Sequence, residues 1–252
     1  MSEPVAKPKR KEATIPHREA VGALVAYVQG LSDWVFLRMG EPYDHMGATL
    51  TDALLQSGLR YETVVFPRVR EILAHAEAAT TSGFLCLLES SGAKALLRWK
   101  SDAKPQCVLA VTCMLCEQGI ETEDGLRTWL GEERNRAWLQ TVRGIGPKTV
   151  DYLRLLVGEP TCAVDRHLFA FLDEAGLQIT DYPTARAVIN GAAPLLGIDG
   201  RDLNHSIWKR MSERAARRRA ARAKSGCLRL ASAADRPTTQ ASRPDDPRTP
   251  AI

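Results

Sequence analysis

Apolar residues recur at helical spacing over most of the chain. Val21, Leu24, Val25 and Val28 stand at i, i+3, i+4 and i+7, which predicts a helix over 18–29 with one buried face. Gly30 interrupts it, and an apolar segment from Trp34 to Leu37 ends at the loop signal Gly40-Glu41-Pro42. TLTDALLQ (49–56) predicts a short helix closed by Ser57-Gly58. Tyr61–Phe66 leads into a helix opened by Pro67, PRVREILAHAEAA. Further helical segments are expected over 81–88, 92–99 and 104–117, and Thr122 can cap another, ETEDGLRTWL. Residues 133–142 enter a glycine turn and 147–157 leave it, with Val150, Leu153 and Val157 striping the second helix. After Gly158-Glu159-Pro160, an extended piece leads to Asp165, placed as the N-cap of DRHLFAFLDEAG, which Gly176 ends. Helices near 183–196 and 202–223 follow. No stretch alternates with a period of two and no internal repeat stands out, so the fold class is all-α.

Charge adds a partner to this picture. The net charge of +4 is modest but uneven: from Arg201 to Lys224, nine Lys/Arg face two acids, Asp202 and Glu213. Such a segment suits a polyanion, although a solvated arginine-rich helix end has the same composition. Residues 1–16 read as a flexible basic arm without the apolar core of a signal peptide. The run from Ala20 to Leu37 is broken by Gln29, Ser32 and Asp33, a poor membrane span. The expectation is a soluble, cytoplasmic protein with no membrane partner, associated with the nucleoid if bacterial. From 225 to 252 the composition turns to Ala, Ser, Thr, Pro and Arg, which predicts a disordered tail.

The six cysteines raise the question of a metal. Cys113 and Cys116 form a C-x-x-C preceded by Cys107, compatible with an iron–sulfur site. All three lie in the apolar run CVLAVTCMLC, however, and no fourth ligand is near in sequence. Buried core cysteines in a helix are the favoured reading, with no metal and no cofactor. A reducing compartment also argues against disulfides.

The stretch from Thr141 to His167, TVRGIGPKTVDYLRLLVGEPTCAVDRH, concentrates the chemistry. Gly144 and Gly146 lack a Cβ, so the backbone there can take positive φ and approach another molecule closely. Pro147 suits the first position of a helix. Lys148 then falls in the first turn, where the positive end of the helix dipole disfavours an ammonium and makes the amine a better nucleophile. Backbone N–H groups of such a hairpin can hold a phosphate without reading a base. Seventeen residues after Lys148 stands Asp165. A neutral amine and a carboxylate across a cleft can break a base–sugar bond. The amine attacks C1′ while the carboxylate stabilises the cationic sugar or readies the amine. The Schiff base so formed permits β-elimination of the 3′ phosphate, and the nucleotide has to be flipped out to reach the site.

VRGIGPKTV followed by CAVDRHLF resembles the helix–hairpin–helix plus glycine/proline–aspartate signature of the endonuclease III superfamily of DNA glycosylases. The likeness covers roughly 49–208 in element order and is sharp between Trp138 and Phe169. It implies two helical domains with an interdomain DNA-binding cleft. A six-helix barrel carrying the hairpin would span 40–160, and a second domain 17–39 plus 161–224. It also implies base-excision repair: a glycosylase that removes a damaged base, with an associated AP lyase activity. Lys148 and Asp165 are then catalytic. Arg143, Gly144, Ile145, Gly146, Thr149 and His167 are DNA contacts, and Gln56 is the residue that fills the flipped-out gap. The implied partner is double-stranded DNA with a damaged base or an abasic site, bound by a monomer. Asn204, His205 and Trp208 resemble the family's His-rich last helix.

The chain also departs from that family. Where endonuclease III follows the last helix with four cluster cysteines, this sequence runs RMSERAARRRAARAKSGC with Cys227 alone, so an iron–sulfur cluster is not expected. Pro147 stands where endonuclease III has an arginine. Two other readings stay open: a monofunctional glycosylase in which Lys148 only contacts phosphate, and a non-catalytic helix–hairpin–helix DNA-binding protein.

Overall fold

The hydrophobic periodicity is realised as helix. The computed structural model describes residues 17–56 and 59–234, and among these the chain is all-helical. In order come α1 (His17–Gln29), α2 (Met46–Leu55), α3 (Phe66–Leu73), α4 (Thr81–Ser91), α5 (Ala93–Leu96), α6 (Ala103–Glu117), α7 (Glu123–Leu130) and α8 (Glu133–Leu139). They are followed by α9 (Pro147–Leu156), α10 (Arg166–Glu174), α11 (Tyr182–Leu195) and α12 (Gly200–Ala234). A π-helical turn, Tyr61–Val65, runs directly into α3, and a 3₁₀ turn, Ala76–Ala79, replaces the end of the single helix expected over 67–79.

Helix α2 is buried on every side, from Met46 to Leu55. It packs against α3, α4, α6 and α9, so even Thr49, Thr51 and Asp52 have no solvent face. Thr49 and Asp52 are partnered there, while the buried Thr51 hydroxyl finds no hydrogen-bond partner among the described residues. Glu123 of α7 accepts from the N–H of Asp44 at 2.9 Å and of His45 at 3.3 Å, and from the Thr49 hydroxyl. The His45 ring caps the same end, accepting from Ala48 N–H at 3.1 Å. Lys104 closes the other end, donating to the carbonyls of Leu54 and Leu55 at 3.3 and 2.7 Å. These contacts satisfy the groups a helix leaves open at its ends. Around α2 gather Phe84, Ile72, Leu88, Leu97, Leu115, Leu126 and Leu130, all fully buried, each worth about 1.5–3 kcal/mol in apolar surface removed from water.

A second core is built by α1, α10, α11 and the start of α12, with Leu24, Phe171, Val188, Ile189, Leu203 and Ile207 at its centre. One buried carboxylate ties the two cores together. Asp151 on α9 accepts from Arg186 at 2.9 Å and from the Tyr182 hydroxyl at 2.8 Å, both on α11, and from Arg154 at 2.9 Å. The irregular segment between α1 and α2 is pinned to α12 as well: Leu37 N–H donates to Ser206 and Met39 N–H to Asp202, both at 2.8 Å.

By its internal contacts the chain divides into Met1–Met211 and Ser212–Ile252. Both cores lie in the first part. In the second, Arg217 and Glu213 approach to 4.0 Å one helical turn apart. The sequence places the start of a tail at 225, yet residues 225–234 are helical. Three Ala, two Leu and one Arg among these ten residues are strong helix formers, so propensity carries the helix past the change in composition. The basic arm 1–16, Ser57-Gly58 and residues 235–252 lie outside the described residues. No helix among the described residues is long and apolar enough to cross a membrane.

Candidate active site

Helix α8 and helix α9 are joined by the hairpin around Gly144-Ile145-Gly146. Gly144 takes φ +99°, a conformation open to glycine. Gly146 differs from the expectation: at φ −116° and ψ 178° it is extended, because it serves as the N-cap of α9 rather than as a left-handed turn residue. Its carbonyl accepts from Thr149 N–H at 3.0 Å and Val150 N–H at 3.2 Å, starting the helix at Pro147. Ile145 anchors the turn, with its side chain in the first core and its N–H bonded to Val142 O at 3.0 Å. Thr149 is buried, whereas Gly144 and Arg143 stand exposed on the hairpin.

Lys148 points from the first turn of α9 into a cavity of about 260 Å³. Asp165, Asp52, Gln56, Tyr61, Tyr152, His205 and Trp208 share its wall, so side chains of both cores enclose it. This volume lies near the lower end of the ~300–1,000 Å³ range of small-molecule pockets, room for one flat ring system. Two contacts hold the amine in this cavity. It donates to Gln56 Oε1 at 3.1 Å and sits 4.7 Å from the centre of the Tyr152 ring. Burial lowers its pKa, and the nearby charges of Asp165 and Asp52 partly offset that fall. The expected direction is therefore present, but its main cause is desolvation rather than the helix dipole.

Asp165 occupies the N-cap of α10. Its Oδ1 accepts from the N–H groups of His167 at 2.8 Å and Leu168 at 3.1 Å, which fixes the carboxylate at the mouth of that helix. His167 thus meets Asp165 through its backbone, with a half-buried side chain. Gln56, expected as a gap-filling residue, is at the C-cap of α2 with its side-chain oxygen turned to Lys148. Of the family-derived residues on the last helix, Asn204 accepts from Ala163 N–H at 3.0 Å and so holds the strand-like approach to Asp165. His205 and Trp208 stack at 6.3 Å with 20° between their planes, and Tyr61 meets Trp208 edge-on at 6.3 Å. Burial lowers the His205 pKa, with Lys209 adding to the effect. Aromatic faces of this kind stack on an unpaired base.

One residue of the site has no counterpart in the sequence reading. Asp52, on the second turn of buried α2, is 1% exposed and forms part of the cavity wall. Its Oδ2 accepts from the hydroxyls of Tyr43 at 2.8 Å and Tyr61 at 3.3 Å, and its Oδ1 from Tyr152 at 3.2 Å. Burial raises its pKa from 3.8 to about 6, against the opposing pull of those three hydroxyls and of Lys148. The tyrosines lie nine residues away on either side and a hundred residues on, so only the tertiary fold assembles the group. The one available signal was a carboxylate i−4 to Gln56 within an otherwise apolar helix.

The cysteines are redistributed. Val108, Val111, Thr112 and Leu115 form the buried stripe of α6, and Cys107, Cys113 and Cys116 flank it half-buried instead of lying in the core. Among the described residues, no group of three or more His, Cys, Asp or Glu side chains could hold a metal ion.

Residues 94–212 match the model of a family described as Domain of unknown function (DUF8548), a stretch that includes Lys148, Asp165 and Trp208 but not Asp52. No curated protein matches the sequence. Among solved structures, the chain is similar to the crystal structure of the H. pylori 3-methyladenine DNA glycosylase MagIII bound to 1,N6-ethenoadenine, with a TM-score of 0.47 and 15% identity over 81% of this chain and 99% of that one.

Proposed function

We propose that this protein is a DNA glycosylase with an associated AP lyase activity, acting on a base flipped out of duplex DNA. The observation that carries the reading is the pairing of Lys148 with Asp165. Residues from the first turn of one helix and the N-cap of another face a single cavity, close enough for the carboxylate's charge to act on the amine. The lysine is held where burial favours its neutral form, the form that attacks carbon. Asp165 is fixed to stabilise positive charge developing on the sugar. In a catalytic cycle the base–C1′ bond breaks, the Lys148 amine bonds to C1′, and the resulting Schiff base undergoes β-elimination. The exposed hairpin beside it, with Gly144 at its tip, supports a phosphate contact that sets the register of the duplex.

Borohydride trapping tests the whole reading. Duplexes carrying oxidised, deaminated or alkylated bases, or a single abasic site, are incubated with the protein and reduced. A covalent protein–DNA adduct that disappears in Lys148→Gln supports the lyase. Base release with only alkali-dependent strand breaks, retained in Lys148→Gln, indicates the monofunctional reading. Duplex binding without base release, unchanged by Asp165→Asn, indicates a non-catalytic binding protein.

A further inference from the structure

The cavity contains a second carboxyl group that the amine–carboxylate pair does not use. Asp52 is nearly sealed from solvent, stands in the wall of the cavity that Lys148 enters, and is surrounded by three hydroxyls that can pass a proton. A structural role alone accounts poorly for it. The N-terminus of α2 is closed by Glu123 and His45 and the C-terminus by Lys104, so Asp52 caps nothing. Among the described residues no arginine forms an ion pair with it, and the hydroxyl groups converge on it from three separate elements: the segment before α2, the π turn, and α9.

We propose that Asp52 is the proton donor to the departing base, and that the pocket accordingly takes uncharged bases rather than N-alkylated purine cations. This rests on the glycosylase reading given above. The chemistry distinguishes the two classes of substrate. An alkylated purine already carries a positive charge and leaves as a neutral molecule once its bond to C1′ breaks. An uncharged base leaves with the bonding electron pair and needs a proton to become neutral. In the proposed step, the Asp52 carboxyl gives its proton to an acceptor atom of the base, directly or through the hydroxyl of Tyr61. The base–C1′ pair of electrons stays with the base, and Lys148 supplies the new pair to C1′. Asp52 is left as a carboxylate, stabilised by Tyr43, Tyr61 and Tyr152, and regains its proton from water when the base departs.

The groups that act on the Asp52 proton are few. Tyr43, Tyr61 and Tyr152 donate to it, the Lys148 charge favours its anion, and Glu62 lies beside Tyr61. Farther round the wall stand Glu41, Asp165, His205 and Lys209. Burial of Asp52 lets it hold its proton up to about pH 6, closer than an ordinary carboxyl to the neutral range in which a general acid works best.

The test compares Asp52→Asn and wild type in single-turnover assays on three duplexes. One carries an uncharged lesion that wild type excises, found by scanning 8-oxoguanine, hypoxanthine, thymine glycol and mismatched thymine. One carries 7-methylguanine, and one an abasic site. Expected for Asp52→Asn is a loss of at least 100-fold on the uncharged lesion, against a change of less than tenfold in the trapping rate at the abasic site, where no base remains to be protonated. The ratio of wild-type to Asp52→Asn excision of the uncharged lesion should also fall about tenfold per pH unit above about 6, because the rising neutral fraction of Lys148 acts on both. Equal losses on lesion and abasic site would mark a structural role and overturn the proposal. So would no loss, or a wild type that excises 7-methylguanine alone. A wild type that traps no abasic site and releases no base overturns the glycosylase reading itself.

Discussion

Lys148 Nζ donates a 3.1 Å hydrogen bond to Oε1 of Gln56, a partner ninety-two residues earlier in the chain. The bond joins the hairpin helix α9 to the C-terminus of α2 and fixes the direction of the amine within the cavity. A side-chain hydrogen bond typically contributes about 0.5–1.5 kcal/mol. Gln56→Ala should therefore slow Schiff-base trapping on an abasic duplex about 2- to 10-fold, with little change in thermal stability. Gln56→Glu should slow it as well, because an adjacent carboxylate favours the ammonium form. A trapping rate indifferent to both substitutions would assign Gln56 to DNA contact alone.

The charge state of that amine predicts a pH profile. Burial lowers the Lys148 pKa below the usual 10.5, so the neutral nucleophile becomes populated at lower pH than for an exposed lysine. The trapping rate on an abasic duplex should rise with pH and reach its plateau below the ordinary lysine range. Stability follows the same linkage. Below the folded-state pKa the buried ammonium costs its full penalty, and the penalty is relieved as pH rises from there towards 10.5. Lys148→Met should accordingly stabilise the protein most at neutral pH, with the gain shrinking in alkaline buffer, as urea titrations at a series of pH values would show.

Lys148 and Asp165 are legible in the sequence because their signals are local: a glycine pair, a proline and an N-cap aspartate at fixed offsets. The helices are legible for the same reason, each carrying its own period, cap or stop. Asp52 was not. In TLTDALLQ it looks like the solvent side of an amphipathic helix, and only the packing of α2 against four other helices shows that no solvent side exists. The half-buried cysteines illustrate the same limit in reverse, since an apolar run does not say which of its residues face inward. Gly146 shows it at the level of one residue: glycine permits positive φ but does not require it. Helix propensity, in turn, outweighed composition beyond 225.

Asp151 is one of the ties between the two cores. It is buried at 1% exposure and binds Tyr182 and two arginines, while Arg186 keeps 40% of its side-chain surface exposed. Breaking a fully buried pair costs about 3–5 kcal/mol, and the solvent access of Arg186 reduces that to roughly 2–3 kcal/mol here. Asp151→Ala should lower the urea midpoint accordingly. Because the cavity is lined from both cores, it should also reduce excision by more than the fraction unfolded explains.

Gly47 sets how closely α2 can approach its neighbours. A Cβ there would fall 2.9 Å from Phe84, 3.0 Å from Ile72 and 3.0 Å from the carbonyl of Ala78. Alanine ordinarily gains about 1 kcal/mol over glycine inside a helix. Here the overpacking, typically about 1–3 kcal/mol, opposes that gain, and a backbone carbonyl among the obstacles keeps the site from relaxing. Gly47→Ala should destabilise the protein by about 1–2 kcal/mol in denaturant titration.

Asp52 should trade stability for its position in the cavity. Its carboxyl has a pKa raised from 3.8 to about 6, so ionising it costs more in the folded chain than in the unfolded one. Between those two values the folded state holds the extra proton, and stability falls as pH rises through that window. Above about 6 the penalty is complete, and at 1.36 kcal/mol per pKa unit it amounts to roughly 2–3 kcal/mol. Asparagine has nearly the same shape, keeps an acceptor for the tyrosine hydroxyls and has no charge to desolvate. Asp52→Asn should therefore be more stable than wild type at pH 7.5, by up to that amount, and the advantage should shrink towards zero as pH approaches 4. A variant that gains stability while losing excision of an uncharged base would place Asp52 with residues kept for chemistry at the expense of the fold. A loss of stability at pH 7.5 would instead make the carboxylate–tyrosine cluster a structural element.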